Sequence, residues 1–298
     1  GNLLDRLLES AGISRSSCYV TNVVKEQPPT VGGKNNCIDG FLNLKKKPIF
    51  ESVAYKQYVE LLREELSKTS ANIIIALGNV PLYTLVGHQN ILKRRGSLYE
   101  STLLPGRKVM GTIHPSACLH GNPEYQYFIL FDLLRAKENA TFPELRIPKR
   151  NLIIEPSFDY AIQRIREYKE SKLVGFDIEV VNLELSCFAL GDRADESICI
   201  PLIEGGRDYF SPEQELAIMK ELEDLLINDK QQHLGQNIGF DATFMLHKYG
   251  IKIRNLQDTM VAQAILYPDF PRGLDFIVSI FSNGTPYYKD DGKTYFKF

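Results

Sequence analysis

Residues 173–180, with the sequence LVGFDIEV, form an apolar run that carries two carboxylates, Asp177 and Glu179. Side chains on a β-strand alternate between its two faces, so both carboxylates lie on one face and Phe176 and Ile178 on the other. Two like charges this close repel each other unless a proton or a cation lies between them. The run therefore predicts either a solvated strand edge or one side of a cation site, and further ligands decide between the two.

A second acidic segment supplies such a ligand. The segment NIGFDATF begins at Asn237 and contains Asp241 four residues later, and positions four apart project from one face of a helix. If this helix packs across the strand, Asp241 meets Asp177 and Glu179. Carboxylate oxygens are the ligands that Mg²⁺ and Mn²⁺ prefer, and two such ions about 3.5–4 Å apart can hydrolyse a phosphodiester. The two segments together predict a two-metal nuclease site.

Two smaller predictions concern the surroundings of this helix. Phe240 and Phe244 are also four residues apart and would form an apolar stripe that anchors the helix to the sheet. Asp258 precedes another apolar helical segment, where aspartate is a common N-cap. The pattern favours that structural role for Asp258, and a place beside the metal is the alternative.

Length and composition indicate a globular protein of two domains. A chain of 298 residues is longer than a domain with a single hydrophobic core usually is. Its shares of 44% hydrophobic and 24% charged residues are typical of a globular protein. The sequence contains neither a membrane-length apolar run nor a signal peptide. Residues 138–150 contain two prolines and no apolar periodicity, which is typical of a linker. We therefore expect one domain over residues 1–140 and another over residues 149–298, with no membrane partner.

Charge and cysteine content bear on ligands and compartment. Residues 1–150 carry 20 Lys and Arg against 13 Asp and Glu, whereas residues 151–298 carry 15 against 24. A basic half beside an acidic half fits a phosphate-binding domain and a metal-binding domain, although chance can also produce it.

The five cysteines are scattered and include no CxxC pair, which favours reduced thiols. We therefore expect a cytoplasmic protein, in a bacterial or phage-infected cell.

Helices and strands alternate in both halves, which predicts an α/β fold class. The string CYVTNVVK and the continuous apolar run NIIIALG are typical of strands, the second of a strand covered on both faces. Between them, residues 53–68 have helical periodicity. In the second half, Ser211 and Gln214 have the spacing of a helix-capping box, with Pro212 at the first helical position.

Three strings of the second half, GFDIEV, GQNIGFD and DTMVAQAILYPDFPRGLDFI, resemble the 3′–5′ proofreading exonuclease domain of family A DNA polymerases, of the phage type within the DEDD superfamily. The resemblance implies an RNase H-like fold, with Asp177, Glu179 and Asp241 as catalytic metal ligands for two Mg²⁺ or Mn²⁺ ions. It places Asn237 near the substrate. It also implies a role in DNA replication beside a polymerase domain.

This family has a further motif, Tyr-x3-Asp, on a helix. Tyr287 and Asp291 have that spacing, but Pro286 and Gly292 flank them and the string is typical of a turn. We therefore expect the motif to lie beyond Phe298, so that the exonuclease domain is C-terminally truncated. No histidine follows His247, so the histidine variant of the superfamily has no candidate in the chain, and His247 itself is expected on a helix surface.

Four strings of the first half resemble uracil-DNA glycosylases of the iron–sulfur family-4 kind: the stretch from Gly1 through TNVVKEQPP, then NIIIALGNV, RRGSLYE and GTIHPSA. The resemblance implies a three-layer α/β/α domain. In that domain Asn22 would read the edge of a flipped-out uracil, and His114 would hydrogen-bond the uracil carbonyl. A turn-forming asparagine and an ordinary loop histidine are the alternatives. The basic residues Lys93–Arg95 would contact phosphates, or would be plain solvated surface.

Two departures from this family lower the expected activity. The family's first motif, a Gly- and Pro-rich loop with an acidic residue, would precede Gly1, so the domain is expected to be N-terminally truncated. Cluster cysteines of the family would fall at Glu26 and near Tyr55, and Cys37 has no partner at ligand spacing. Because an iron–sulfur cluster needs four ligands, we expect no such cluster.

The sequence as a whole thus predicts a glycosylase-like domain fused to the proofreading exonuclease of a family A DNA polymerase. Its partners would be single-stranded DNA 3′ ends, uracil-containing DNA and the polymerase domain. Two alternatives remain at this point. One is a vestigial module that only tethers DNA, and the other is an RNase of the same superfamily.

Overall fold

A computed structural model describes residues 2–28, 30, 38–282 and 287. The chain divides into two compact units, one formed by residues 1–147 together with 275–298 and the other by residues 148–274. Each unit has its own hydrophobic core. Both are mixed α/β, which confirms the predicted fold class.

The elements of both units have the following bounds. The helices are α1 (Asn2–Ser10), α2 (Val53–Ser67), α3 (Asn79–Val86), α4 (Ile91–Arg94), α5 (Tyr125–Asn139), α6 (Phe158–Tyr168), α7 (Pro212–Leu226), α8 (Ile238–Tyr249), α9 (Thr259–Leu266) and α10 (Leu274–Phe281). The strands are β1 (Leu42–Asn43), β2 (Phe50–Glu51), β3 (Ile73–Leu77), β4 (Leu98–Glu100), β5 (Lys108–Thr112), β6 (Asn151–Ile154), β7 (Leu173–Val181), β8 (Glu184–Arg193), β9 (Glu196–Pro201), β10 (Ile203–Glu204), β11 (Arg207–Asp208), β12 (Gln232–Gly235) and β13 (Leu256–Asp258).

The first unit is built on a three-stranded sheet in the order β3-β5-β4, with β3 parallel and β4 antiparallel to β5. Every residue of β5 is buried, because helices cover both faces of the sheet. Met110 packs with Ala136 of α5 on one face, whereas Val109 packs with Leu62 of α2 and Leu82 of α3 on the other. This is the predicted three-layer arrangement.

The predicted strand CYVTNVVK does not form, because residues 18–25 join no sheet in the described part of the chain. Tyr19 and Val20 are exposed, so the alternation that suggested a strand has no core to face. Side chains hold the segment instead: Thr21 Oγ1 and Lys25 Nζ both donate to Glu65 of α2, at 2.8 and 2.7 Å.

A buried ion pair lies in the core of the first unit. Arg95 and Asp132 are 1% and 0% exposed, and the guanidinium donates to both carboxylate oxygens, at 2.6 and 3.0 Å. Thr112 Oγ1 also donates to this carboxylate, and Arg95 Nη1 donates to Ser279 Oγ of α10. The expectation that Arg95 contacts phosphates is therefore wrong, since its charge is already paired inside the protein.

Arg135 holds the end of α10 in the same unit. Its guanidinium donates to the carbonyl oxygens of Ser279 and Ile280, at 2.7 and 3.0 Å. These carbonyls lie in the last turn of α10, where a helix has no internal donors and a positive charge is favourable.

The second unit is built on a six-stranded sheet in the order β13-β12-β7-β8-β9-β6. Strands β7, β8 and β9 are consecutive and antiparallel, whereas β12 and β13 run parallel to β7 on its other side. This arrangement confirms the predicted RNase H-like fold. The predicted capping box of α7 also forms, since Ser211 and Gln214 each accept the backbone N–H of the other. Among the described residues, no helix is both long and apolar enough to cross a membrane.

The buried ion pair makes a prediction about stability. Asp132→Ala leaves the guanidinium of Arg95 buried without a counter-charge, and we expect the free energy of unfolding to fall by about 3–5 kcal/mol. Chemical denaturation measures the change. Glu138→Ala, at an exposed position of the same helix, is the matched control and should alter that free energy by less than about 0.5 kcal/mol. Equal midpoints for the two variants would contradict the role assigned to Asp132.

Candidate functional site

Strand β7 presents the acidic pair as the alternation predicts. Phe176 and Ile178 are buried in the core, whereas Asp177 and Glu179 lie on the opposite, exposed face. On the neighbouring strand β8, Asp177 is opposite Ala189 and Glu179 is opposite Cys187.

Asp241 of α8 reaches this strand through a gap in the sheet. Strand β12 pairs with β7 only as far as Gly175, because the chain leaves the sheet at Gly235 and turns into α8. Beyond that point the buried N–H of Ile178 has no strand partner on this side, and Asp241 Oδ1 accepts it at 2.9 Å. Glycine suits position 235 because a Cβ there would lie only 3.0 Å from the carbonyl oxygen of Phe176.

The electrostatics show that the three carboxylates influence one another. The side chain of Asp241 is 4% exposed, and its pKa is raised to about 6, mainly by burial. The bond from Ile178 N–H opposes this rise, whereas the negative charges of Asp177 and Glu179 add to it. Burial also raises the pKa of Asp177. A cation placed among these oxygens would offset both the desolvation and the repulsion.

These oxygens have the right chemistry for a hard divalent cation. Among the residues that the structure describes, however, no group of three or more His, Cys, Asp or Glu side chains is close enough to hold a metal ion as it stands. The observation that fits a cation here is that Asp241 is buried and has no cationic side chain of the described residues as a partner.

Asn237 precedes α8 rather than lying within it. It is the N-cap, with φ 59° and ψ 37°, and its exposed side chain makes no capping hydrogen bond. The expectation that Asn237 and Asp241 project from one face of a helix is therefore wrong. The buried face of α8 consists of Ile238, Asp241 and Met245.

The predicted aromatic stripe on α8 forms only in part. Phe244 packs against the core, but Phe240 is 53% exposed. His247 is exposed on the same helix, as expected.

Asp258 fixes the start of α8 as well as that of α9. Its Oδ1 accepts the N–H of Met260, which confirms the predicted N-cap, and also the N–H of Asn237, at 2.8 and 3.0 Å. One carboxylate thus joins the two loops that follow β12 and β13. No sequence pattern predicts the second bond, because it depends on the pairing of these strands.

Tyr287, one half of the candidate for the further exonuclease motif, belongs to the first unit. Tyr287 is buried in the first unit, where its N–H donates to Ser97 Oγ and its ring packs under the cations of Lys93 and Arg94. Asp291 lies outside the described residues. The prediction that the motif follows Phe298 stays a prediction.

In the first unit, His114 lies where two parallel strands end. It follows β5, beside Gly78 at the end of β3, whose φ of +91° suits glycine and where a Cβ would lie 3.2 Å from His114 Cβ. Ser116 N–H donates to Nδ1 of His114 at 3.2 Å, so the proton of a neutral ring lies on Nε2. Burial lowers the pKa of His114, which keeps the ring neutral at pH 7.

Asn22 lies on the non-strand segment of residues 18–25, and its side chain is exposed. In the described part of the chain, no hydrogen bond joins it to His114. The structure therefore places the two predicted base contacts on separate segments and leaves their joint role a prediction.

The positions expected for cluster cysteines hold other contacts. The hydroxyl of Tyr55 lies 2.9 Å from Thr84 Oγ1 in the core, and the pKa of Tyr58 is raised by desolvation and by the neighbouring carboxylate of Glu26. Cys37 lies outside the described residues. The expected lack of an iron–sulfur cluster stays a prediction.

Two family models match different parts of the chain. Residues 157–294 match the family model described as 3′–5′ exonuclease, and residues 1–133 match that of the uracil-DNA glycosylase superfamily. The chain carries one domain of each kind.

Known proteins resemble the two domains separately. A type-4 uracil-DNA glycosylase of Thermotoga maritima is 33% identical over 140 residues, which are 46% of this chain and 64% of that protein, less than two thirds of its length. Among solved structures, Trypanosoma brucei RNase D in complex with RNA U12 is 13% identical, with 40% of this chain and 41% of that chain covered and a TM-score of 0.33. Brucella melitensis NrnC is 17% identical, with coverages of 46% and 62% and a TM-score of 0.34.

The exonuclease domain makes a prediction about pH. Asp241 has a pKa of about 6 in the folded chain, against about 3.9 for an unfolded aspartate. Between these values the folded state binds more protons, so the free energy of unfolding falls as the pH rises. Relative to Asp241→Asn, which keeps an oxygen for Ile178 N–H, the parent should lose up to about 3 kcal/mol between about pH 4 and pH 7.

Denaturation in EDTA at several pH values measures this difference. Asp195→Asn, at an exposed turn of the same domain, is the matched control. Parallel pH profiles for the parent and Asp241→Asn would show that Asp241 does not titrate as the structure indicates.

Proposed function

We propose that the second domain is a divalent-metal-dependent 3′–5′ exonuclease that removes nucleotides from DNA 3′ ends, as the proofreading domain of a family A DNA polymerase does. The observation that carries the proposal is the position of Asp241. Its carboxylate is bound to the backbone of β7, and the charges of Asp177 and Glu179 act on it.

Asp177, Glu179 and Asp241 would hold the cations. Bound Mg²⁺ or Mn²⁺ supplies an activated water and stabilises negative charge in phosphodiester hydrolysis. The chain's own contribution is to fix the ligands: Ile178 N–H orients Asp241, and β7 keeps Asp177 and Glu179 on one exposed face. The exposed Asn237 is free to contact the substrate at the start of α8.

This proposal makes a prediction about activity. The parent should shorten a 5′-labelled single-stranded DNA from its 3′ end when Mg²⁺ or Mn²⁺ is present and should stop in EDTA. Asp177→Ala removes a metal ligand and should slow trimming at least about 100-fold, the size of loss that follows removal of one group stabilising a transition state. Asp195→Ala is the matched acidic control and should trim at the parental rate.

The same assay separates the alternatives. Faster trimming of RNA than of DNA would favour an RNase. Tight DNA binding that EDTA does not alter, with no trimming by the parent in either metal, would favour the tethering module. Equal rates for Asp177→Ala and the parent would contradict the site.

We also propose that the first domain binds uracil in DNA through His114 and Asn22. A neutral ring with its proton on Nε2 can donate to a uracil carbonyl and stabilise the departing base anion. The exposed amide of Asn22 offers both a donor and an acceptor, which suits the adjacent carbonyl and N–H of uracil.

This second proposal predicts uracil excision in EDTA, a condition that stops the metal-dependent exonuclease of the same chain. Alkali cleavage of a DNA with one uracil should reveal abasic sites, whereas the thymine-containing DNA should stay intact. His114→Ala should lower the rate about 100-fold or more. His120→Ala, an exposed histidine six residues away, should keep the parental rate. Equal cleavage of both DNAs would contradict the assignment.

A further inference from the structure

Helix α10 belongs to one domain by sequence and to the other by structure. The match to the exonuclease family covers residues 157–294 and therefore includes α10. From Asp275 onward, however, the chain belongs to the first compact unit, together with residues 1–147. A segment of the exonuclease sequence thus forms part of the unit that contains His114.

The contacts of α10 in this unit centre on the guanidinium of Arg95. Its carbon lies 5.7 Å from the ring centroid of Phe276 on α10 and 5.4 Å from that of Phe128 on α5. The two rings meet edge to face, with 4.9 Å between their centroids. Arg95 Nη1 also donates to Ser279 Oγ at 2.7 Å. Because cation–π contacts and hydrogen bonds of a charged group have defined geometry, α10 fixes the orientation of this guanidinium.

The same guanidinium leads to the end of β5. It donates to both carboxylate oxygens of Asp132, and Thr112 Oγ1 donates to one of them at 2.6 Å. Thr112 is the last residue of β5, two residues before His114, and its carbonyl oxygen accepts the N–H of Gly78 at 2.8 Å. Gly78 lies beside His114. The contacts that start at α10 therefore end at the backbone that carries His114.

We propose that α10 positions His114 for uracil excision, because Arg95 and Asp132 connect this helix to the end of β5. The inference rests on the proposed glycosylase function of the first domain. Arg95 and Asp132 are buried, so they are positioning residues that act through the backbone before His114. Such placement matters, since a shift of about 1 Å in a reacting group can cost about 100-fold in rate. Base excision then depends on a helix that the exonuclease sequence supplies.

Uracil excision by the full chain in EDTA tests the proposal. Phe276→Ala removes the ring that packs on Arg95 from α10, and it should lower kcat at least about tenfold with little change in KM, because His114 is displaced while no DNA contact is lost. Phe276→Tyr keeps the aromatic ring and should excise at the parental rate. Ile265→Ala, at an exposed apolar side chain of α9, is the matched control and should also leave the rate unchanged.

A measurement by NMR separates positioning from a general loss of stability. The buried N–H of Gly78 is bound to Thr112, so its hydrogen exchange reports this contact, and the ring signals of His114 report the side chain itself. In Phe276→Ala the amide of Gly78 should exchange at least about tenfold faster and the ring signals should shift. The amides of α2, which packs on the other face of the sheet from α5, should keep their parental exchange rates.

The outcomes distinguish this inference from the glycosylase proposal. A parental excision rate in Phe276→Ala would overturn the inference. Equal acceleration of exchange in α2 would do so too, because it indicates a loss of stability alone. If the parent itself excises no uracil, the proposed glycosylase function fails, and the NMR measurement then decides whether α10 positions His114. Changes confined to Gly78 and His114 support that role, and unchanged signals contradict it.

Discussion

The hydrogen bond from Ile178 N–H to Asp241 joins the two halves of the acidic site. It forms because β12 pairs with only the first part of β7, and a buried N–H left without a partner is costly. A carboxylate binds this N–H more strongly than a neutral acceptor would, because charge-assisted hydrogen bonds are shorter and stronger. The bond that completes the sheet is thus also the bond that brings an acid to Asp177 and Glu179.

Much of this site follows from the sequence. The alternation of residues 173–180 gave the correct faces of β7, and the capping box predicted the start of α7. Both are local patterns, in which side chains a few residues apart determine the conformation. The sequence also predicted the correct element for each carboxylate: a strand for Asp177 and Glu179, and a helix for Asp241.

Other features could not be predicted because they depend on distant partners. Asn237 is left-handed and its N–H donates to Asp258, a contact that depends on the pairing of β12 with β13. Arg95 belongs to a basic triplet in the sequence, but Asp132 draws it into the core. The diagonal positions of Cys187 and Cys199 depend on the register of β8 and β9, which no local pattern predicts.

Asp132 and Asp241, the two buried aspartates among the described residues, differ in how their negative charge is balanced. Asp132 is bound by the guanidinium of Arg95 and by Thr112, so it has a counter-charge inside the fold that opposes the rise of its pKa by burial. Asp241 is buried almost as deeply, yet no cationic side chain of the described residues pairs with it, and two other carboxylates act on it. A fold that only needed stability would balance such a charge, because an unpaired buried carboxylate is costly. A cation from solution balances it equally well, and that requirement supports a metal-dependent role for this face of the sheet.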